Sequence, residues 1–545
     1  MIDKINDIPF EEVTLEDDGV YIEDEKSGMR KESEPIWMES CERNIDNDEI
    51  TATIVCENLG RKNKVRAQRY QYLDPRTLLS YQNVGFDVTI FNKNTIIKHL
   101  LNEEKLVEIN QVHSKLGFGE YDGKIIYKAY NCIGMTSTYV GGFNIEPKGD
   151  EEVWFDMFEK QVLGNANLEL ICSISLTSIL IGYIGEEYSL ETLIVHLVGN
   201  STTGKSTALR LAISIFGSVN VGNNSLFSTY NTTHNAMMSR MSGTKGVTFA
   251  FDEISISNIG NFTNLVYTIS QGVDKARLDK NSQQKEQGTW LGAMLSNGEK
   301  SLLNSSNKNA GIQIRVIEID NISWTSSAEN AEEINKVVIN NNGHVAIEFA
   351  QYIMELGKEE VSNIYEKDVE MMKQVLAKNN LEDEFTSRRA SKLATITATS
   401  KIFEEYLCKK LGKEINLDRK GMIKTLLKVE KESIKSRNLD RSALEHIRQY
   451  IVDNKHKFEK NWAEKTKGEI IGKLIKKKEY MELEMTQSKF ELMLKDGGFE
   501  DKNVVLRELK SKGILDCDRD RFTRKRMTDA GKIPVIVIKL PIKNK

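Results

Sequence analysis

One eight-residue motif constrains this chain more than any other feature. Residues 199–206 read GNSTTGKS and match the pattern G-x-x-x-x-G-K-[ST] at every fixed position. Residues 193–198 (LIVHLV) precede the motif as a buried parallel strand would, and an apolar helical pattern follows it at once. A chance glycine-rich turn would lack these flanks. The order of strand, loop and helix therefore predicts a phosphate-binding loop.

The residue types in the loop suit the binding of ATP. Gly199 and Gly204 allow the backbone to curl so that several N–H groups point at one anion. Lys205 is expected to reach the β- and γ-phosphates, and the Ser206 hydroxyl is expected to ligate Mg²⁺. The expected nucleotide contacts are Gly199, Asn200, Ser201, Thr202, Thr203, Gly204, Lys205, Ser206 and Thr207.

A second strand pattern ends in two acids about fifty residues after the loop. Residues 246–251 (GVTFAF) are followed directly by Asp252 and Glu253. We expect Asp252 to hold Mg²⁺ and Glu253 to orient the attacking water. A strand end with two solvated acids is the alternative. The pairing with the phosphate loop favours catalysis, and Glu253 favours hydrolysis over transfer of the phosphoryl group to a small molecule.

Two further apolar strands follow the acid pair. Residues 289–295 (TWLGAML) run into Ser296 and Asn297, which are polar. Residues 312–319 (IQIRVIEI) carry Arg315 near their start. An arginine there could enter a neighbouring subunit's ATP site and stabilise charge in the transition state. A structural ion pair between Arg315 and Glu318 is the alternative.

With these segments in order, the sequence resembles the MCM-like AAA+ helicases of staphylococcal cassette and pathogenicity-island elements and related phages. The resemblance covers roughly residues 110–545. It is carried by GNSTTGKST (199–207), FAFDE (249–253), GVDKARLDK (272–280), TWLGAMLSNGE (289–299) and IQIRVIEID (312–320). In AAA+ proteins the strand beside the acid pair often ends in an Asn that senses the γ-phosphate. The resemblance implies this role for Asn297, for which a plain turn residue is the alternative.

The resemblance also implies a β-hairpin that points into a ring pore and grips DNA. The corresponding interval carries four basic residues: Lys275, Arg277, Lys280 and Lys285. Basic side chains on a hairpin suit contact with successive phosphates of a DNA strand. A hairpin that only faces solvent is the alternative. A second arginine is implied from a helical lid. Arg388 and Arg389 both fit this place, and Arg388 is preferred.

The C-terminal pattern predicts a winged helix. Helices are expected over 486–495 and 501–512, and short strands over 514–515, 521–526 and 534–540. The second helix would enter the major groove while a basic wing contacts phosphates. The expected DNA contacts are Arg507, Lys510, Arg524, Lys525 and Arg526. Winged helices also bind proteins, which is the alternative.

Charge is distributed unevenly along the 545 residues. The first 50 residues carry 17 acids and 5 bases, whereas residues 401–545 have a net charge of +13. A basic tail suits nucleic acid, although solvated helix faces would give the same charge.

The predicted fold is α/β with five parts. They are an acidic, partly disordered segment (1–48), an N-terminal β-rich α+β domain (49–150), an AAA+ P-loop core (151–326), a helical lid and linker (327–438) and the winged helix (439–545).

Other features exclude several classes of protein. The six cysteines form no C-x-x-C pair, so neither a zinc ribbon nor a disulfide framework is indicated. The N-terminus lacks the pattern of a signal peptide, and a cytoplasmic protein is expected. Residues 170–185 are uncharged and apolar but short for a membrane span, which favours a buried helix.

Together these patterns predict an ATP- and Mg²⁺-dependent DNA helicase. The expected form is a ring of identical subunits, with six the expected number, that helps to replicate a mobile element. It would act on a single strand in the pore and on duplex or forked DNA, with self-loading or origin binding by the basic tail. A primase or polymerase is a further expected partner, and no membrane is. The alternative is an AAA+ ATPase that remodels protein partners without separating strands.

Overall fold

The computed structural model describes most of the chain. The described residues are 13–24, 28–222, 224–259, 262–278, 284, 286–306, 310–437, 439–459, 469–499, 501–528 and 531–541. The chain divides into two compact units, Met1–Gly142 and Phe143–Lys545.

Strands dominate the described part of the first unit. They are β1 (Val13–Glu16), β2 (Gly19–Asp24), β3 (Gly28–Ser33), β4 (Ile36–Asn44), β5 (Ile50–Asn58), β6 (Arg61–Gln68), β7 (Ile109–His113), β8 (Leu116–Tyr121), β9 (Lys124–Lys128), β10 (Cys132–Ile133) and β11 (Thr138–Tyr139). The helices are α1 (Arg69–Leu73), α2 (Pro75–Leu79) and α3 (Lys93–Leu106).

Most strands of the first unit pair with a neighbour in sequence, but β7 pairs with β4 and β11. β1, β2 and β3 form an antiparallel meander, as do β8, β9 and β10. A third sheet has the order β11-β7-β4-β5-β6, and α3 packs on β4. Side chains from these elements, including Val20, Ile36, Ile54, Tyr72 and Leu100, are fully buried in one core. The expected β-rich α+β character is therefore present.

Residues 1–48 were expected to be partly disordered, and the described part of that segment forms strands. Residues 13–24 and 28–44 supply β1 to β4, and Val20 and Ile36 are completely buried. Apolar residues of β1, β2 and β4 face the core, whereas most of β3 is exposed. The expected boundary at residue 48 falls in the turn that joins β4 to β5, which are hydrogen-bonded partners.

Helices and parallel strands alternate in the first half of the second unit. The elements are α4 (Glu151–Met157), α5 (Ala166–Ile184), β12 (Leu193–Val198), α6 (Lys205–Ser214), β13 (Phe227–Thr229), α7 (His234–Met241), β14 (Thr244–Asp252), α8 (Phe262–Gln271), β15 (Trp290–Gly298), α9 (Ala310–Gln313) and β16 (Val316–Asp320). This arrangement is the α/β core that the alternation of apolar patterns predicted.

The order of the parallel strands brings three strand ends together. The order is β13-β14-β15-β12-β16, and each pair is parallel. All six residues of β12 are buried, because a central strand of such a sheet is covered on both faces. The ends of β12, β14 and β15 therefore meet at one edge of the sheet, which is where α/β proteins bind ligands.

Helix α5 is the core helix of this unit. It is long and apolar enough to cross a membrane, but 94% of its most apolar window is buried inside the protein. It contacts β14, β15, α6 and α12. Its serines and threonines donate to backbone carbonyls; for example, the Ser175 hydroxyl donates to the Ala212 carbonyl at 2.7 Å. The sequence prediction of a buried helix here is confirmed.

A block of long helices follows the sheet. It contains α10 (Ala328–Asn340), α11 (Val345–Lys378), α12 (Thr386–Leu411) and α13 (Arg419–Arg437). α11 is interrupted at Gly357, whose φ of 80° lies outside the helical region. α12 packs against both α11 and α5, so this block lies directly on the α/β core. These helices lie within residues 327–438, for which the sequence predicted a helical lid and linker.

The C-terminal segment has a core of its own. Its elements are α14 (Leu439–Asp453), β17 (Phe458–Glu459), β18 (Gly472–Lys476), β19 (Tyr480–Thr486), α15 (Gln487–Asp496), α16 (Lys502–Ser511), β20 (Arg524–Thr528) and β21 (Gly531–Pro541). Leu483, Phe490, Leu506 and Ile538 are fully or almost fully buried in it. The two predicted helices and the C-terminal hairpin are confirmed, whereas α14 and the β18–β19 hairpin were not predicted.

Candidate functional site

The phosphate loop connects β12 to α6, as predicted. Gly204 has a φ of +80°, and a Cβ placed on it would lie 2.6 Å from the Thr325 hydroxyl oxygen. Only glycine satisfies both conditions without strain. The backbone N–H of Trp324 donates to the carbonyl of Thr203 at 2.9 Å and so holds the loop from the far side. Trp324 and Thr325 were not assigned a role from the sequence, because they lie more than a hundred residues away.

Lys205 lies over the loop with its ammonium group inside the curve. Its Nζ donates to the carbonyl oxygens of Gly199 and Asn200 at 2.7 Å each, and the residue is 7% exposed. α6 begins at Lys205 and has no side-chain cap among the described residues. Its first N–H groups are therefore left for an anion, which the helix dipole also attracts. The loop fits a nucleotide phosphate.

The two expected metal ligands lie together. The Ser206 hydroxyl donates to Asp252 Oδ1 at 3.3 Å. Neighbouring ligands of an octahedral Mg²⁺ at about 2.1 Å from the metal are about 3.0 Å apart, so both oxygens fit one ion. Within the described residues no group of three or more His, Cys, Asp or Glu side chains could hold a metal. A Mg²⁺ ion here would therefore need phosphate oxygens and water as its other ligands.

Asn297 connects the other parts of the site. It is 2% exposed at the end of β15, between β12 and β14. Its Oδ1 accepts from the backbone N–H of Glu253 at 2.8 Å, and its Nδ2 donates to the Ser206 hydroxyl at 3.3 Å. One amide thus contacts both the expected metal ligand and the expected catalytic acid. A plain turn residue would not need these contacts.

Glu253 is held in an uncommon backbone conformation. Its φ is +59°, in the left-handed region that a non-glycine residue seldom adopts. Its carboxylate accepts from the Ser255 backbone N–H at 3.1 Å and from the Ser255 hydroxyl. Strain of this kind concentrates at active sites, where surrounding contacts impose the geometry.

A buried hydrogen-bond network supports the residue next to Asn297. The Ser296 hydroxyl contacts His196 Nδ1 at 2.8 Å and the Tyr230 hydroxyl at 2.7 Å, and His196 Nε2 contacts the Lys300 carbonyl at 2.9 Å. Burial lowers the pKa of His196 to about 4, so the ring is neutral. His196 is therefore a buried structural histidine whose two ring nitrogens both have partners. Tyr230 was not singled out in the sequence, because nothing in its local pattern indicates a contact with Ser296.

Arg315 lies at the opposite edge of the sheet from the phosphate loop. β12 and β16 are parallel, with Ile194 opposite Val316 and Val198 opposite Asp320. The loop therefore follows the carboxyl end of β12, whereas Arg315 precedes the amino end of β16. The Arg315 guanidinium lies 4.6 Å from the centre of the Tyr267 ring.

The expected alternative for Arg315, a structural ion pair, holds with a different partner from the one named. Glu318 accepts instead from the Ser301 hydroxyl at 2.7 Å and from the Leu303 N–H at 3.2 Å. Arg315 pairs with Glu191 at 3.3 Å, and its Nη1 donates to the Gly311 carbonyl at 2.8 Å. Glu191 precedes β12 and was not singled out in the sequence, because nothing in its local pattern indicates a partner so distant along the chain.

The two lid arginines have different surroundings. Arg389 is fully buried and forms an ion pair with Glu430 at 2.7 Å, and Arg437 contacts the other oxygen of Glu430 at 2.6 Å. Arg388 is 58% exposed and contacts Glu191 Oε1 at 3.3 Å. Arg389 is thus held by a structural partner, which leaves Arg388 as the candidate for the lid arginine.

The basic hairpin is described in part. Val273 pairs with Thr289 and Leu278 with Gln284, both antiparallel, as the two arms of a hairpin would. Arg277 contacts Asp274 at 3.4 Å and Asn235 at 3.0 Å and is half exposed. Lys275 is also exposed. Lys280 and Lys285 lie outside the described residues.

The basic residues of the C-terminal segment fall into two groups. Arg524 pairs with Asp516, and Arg526 pairs with Glu484 at 2.6 Å. The Lys510 ammonium donates to the Arg519 carbonyl at 2.8 Å. Arg507 and Lys525 are exposed, and no ion pair to either is found within the described part of the chain. Ion-paired side chains contribute less net charge to a DNA surface, so Arg507 and Lys525 are the stronger candidates.

Comparisons with known proteins agree with this architecture. A solved structure, the SCCmec type IV Cch active helicase, is similar over 97% of this chain and 97% of its own, with 24% identity and a TM-score of 0.77. At this identity the similarity shows a shared fold. No curated protein matches the chain.

Two family models also match. Residues 438–543 match the Cch helix turn helix domain, so the C-terminal segment is a helix-turn-helix domain. Residues 15–288 match the domain of unknown function DUF927, which starts well before residue 110, where the resemblance in sequence became clear. Because this match spans slightly more than half of the chain and includes the phosphate loop and the acid pair, the protein belongs to the DUF927 family.

Proposed function

We propose that this protein is an ATP-driven DNA helicase of the MCM-like AAA+ class that acts as a ring of identical subunits. Three observations support it: the nucleotide site at the carboxyl edge of the sheet, the arginines at the amino edge, and the similarity in fold to the Cch active helicase along the whole chain. The C-terminal helix-turn-helix domain supports DNA as the partner.

The residues of the loop edge divide the work of hydrolysis. Lys205 and the N–H groups at the start of α6 would bind the phosphates, and Ser206 and Asp252 would hold Mg²⁺, which would neutralise charge on the phosphate oxygens. Glu253 orients the attacking water and accepts its proton. Asn297 keeps Ser206 and the backbone of Glu253 at a fixed separation, since it contacts both.

The placement of Arg315 carries the proposal of a ring. From Arg315 to the level of Asp320 the strand advances about 16 Å, which is more than an arginine side chain can reach. Arg315 cannot contact a phosphate in its own loop. It can contact one in a neighbouring subunit, where a positive charge would stabilise the transition state. Arg388 lies at the same edge and would act on the same phosphate.

The basic hairpin and the C-terminal domain would engage DNA in different ways. The hairpin follows the acid pair along the chain and bears Lys275, Arg277, Lys280 and Lys285, which would hold one strand by its phosphates. Helix α16 of the C-terminal domain would enter the major groove of duplex DNA, with the β20–β21 hairpin as its wing. This division suits a motor that binds duplex and pulls one strand.

Strand separation is the decisive test. Purified protein should hydrolyse ATP, hydrolyse it faster with DNA, and unwind a forked duplex, and the matched Lys205→Ala variant should do none of these. Turnover without unwinding at either fork polarity would refute the helicase. If turnover also failed to respond to DNA, an ATPase that remodels proteins would be the better explanation.

A further inference from the structure

Three cationic side chains surround the single carboxylate of Glu191. Arg315 and Arg388 both contact its Oε1 at 3.3 Å, and the Lys392 ammonium lies 3.8 Å from its Oε2. These residues come from three separate elements: the turn before β12, the segment before β16, and helix α12. Their meeting point is therefore a product of the tertiary fold.

Helix α12 also holds the backbone around Arg315. The Lys392 ammonium donates to the Arg315 carbonyl at 2.9 Å. The neighbouring carbonyls of Ile314 and Val316 accept from Arg389 Nη1 at 3.4 and 3.5 Å. Three successive carbonyls are thus contacted by one helix, which fixes the backbone of Arg315 while Glu191 holds its side chain.

The charge balance makes Glu191 necessary for this arrangement. Two guanidinium groups within contact distance of one oxygen would repel each other if the carboxylate were absent. The Arg315 side chain has further contacts with Gly311 and Tyr267 and is 12% exposed, so it would keep its position without the Glu191 carboxylate. Arg388 is 58% exposed and would move away into water. Loss of the Glu191 charge should therefore separate the two arginines.

We propose that Glu191 is a positioning residue that holds Arg315 and Arg388 side by side, so that both reach the terminal phosphate of the nucleotide in the neighbouring subunit. This inference rests on the proposed function, since it takes the ATP site to be shared. It assigns to Glu191 an effect on the neighbour's site and none on its own, because Glu191 lies at the opposite edge of the sheet from the phosphate loop.

The first test is the Glu191→Gln variant, which keeps the size of the side chain and removes its charge. We expect kcat for ATP to fall about tenfold while KM changes less than twofold, since phosphate binding by the loop is untouched. Glu191→Asp should recover part of the loss. Glu187→Gln is the matched control, because Glu187 is exposed and lies four residues earlier. An unchanged kcat in Glu191→Gln would overturn the proposal.

Mixing experiments separate this inference from the proposed ring. Glu191→Gln is mixed with Lys205→Ala. In a mixed ring the Glu191→Gln subunit keeps a working phosphate loop, and the neighbouring Lys205→Ala subunit supplies intact arginines to it. ATP turnover of the mixture should therefore exceed the sum of the turnovers of the two separate variants. Arg315→Ala should be rescued in the same way. Rescue of Arg315→Ala alone would overturn only the role of Glu191. Rescue of neither variant would refute the shared site and the inference with it.

Discussion

The side-chain oxygen of Asn297 accepts a hydrogen bond from the backbone N–H of Glu253 at 2.8 Å. The two residues are 44 positions apart in sequence and lie at the ends of the neighbouring strands β15 and β14. The same amide donates to Ser206 on the loop. Any displacement of Ser206 would therefore reach the backbone of Glu253, the expected catalytic acid, through one side chain.

Asn297→Ala should lower kcat for ATP hydrolysis by about ten- to a hundredfold with little change in KM, because positioning is lost and phosphate binding is not. Steady-state kinetics measure both constants. Asn304→Ala is a control at an exposed position after the same strand. A rise in KM with unchanged kcat would show that Asn297 serves binding instead.

Substitutions of the adjacent arginines Arg388 and Arg389 should have different effects, one on ATP turnover and the other on the free energy of unfolding. Arg389→Met removes one of the two guanidinium partners of the buried Glu430, so that only Arg437 remains, and should lower the free energy of unfolding by about 3 kcal/mol. Arg388→Met should leave it within about 0.5 kcal/mol, since Arg388 is exposed, but should reduce ATP turnover. Urea denaturation and ATPase assays on both variants measure the difference. Equal destabilisation by the two changes would contradict this assignment.

The lysines near the expected hairpin tip should couple ATP hydrolysis to DNA. Lys280→Ala with Lys285→Ala should abolish the stimulation of turnover by single-stranded DNA and leave turnover without DNA unchanged, because the pair is expected to contact phosphates only. Lys336→Ala with Lys367→Ala, at exposed positions on helices α10 and α11, is a control that removes the same charge. Stimulation that survives the double change would exclude the hairpin as the coupling element.

Two exposed basic side chains, Arg507 and Lys525, should contribute to the binding of duplex DNA by the C-terminal domain. Arg507→Ala with Lys525→Ala should weaken binding of the full-length protein to duplex DNA. A plot of the logarithm of the DNA-binding constant against the logarithm of the salt concentration has a negative slope. The magnitude of this slope should decrease by about 2, one for each lost phosphate contact. Titrations at several salt concentrations give this slope. Arg524→Ala should instead destabilise the domain, since it breaks the pairing with Asp516. An unchanged slope in the double variant would place the DNA surface elsewhere.

The buried histidine of β12 makes stability depend on pH. The pKa of His196 is about 4 in the folded protein and about 6.5 when unfolded, so only the unfolded chain takes up a proton between these values. The free energy of unfolding should fall as the pH is lowered through this window, by about 2 kcal/mol between pH 7 and pH 5 from this residue. Urea titrations of the natural protein and of His196→Asn test this. An equal pH effect in both would assign it to other groups.

Much of the site was predictable because its chemistry is local in sequence. The loop motif needs only adjacent residues, and the strands that deliver Asp252, Glu253 and Asn297 are continuous apolar runs. Their meeting at one edge follows from the parallel pairing of such strands. The strands found before residue 48, where partial disorder was expected, were obscured for a related reason. Composition averages over both faces of a strand, and the buried residues of β1, β2 and β4 include the apolar Val13, Val20 and Ile36.

The sequence by itself determined the glycine-rich loop between β12 and α6, the acid pair, the strand that carries Asn297 near its end and the order of helices and hairpin at the C-terminus. Each of these depends on spacing within one short segment. Only the tertiary structure decided the partner of Arg315, the burial of Arg389 beside the exposed Arg388, and the convergence on Glu191. These depend on burial and charge between segments up to about 200 residues apart, which no local pattern records.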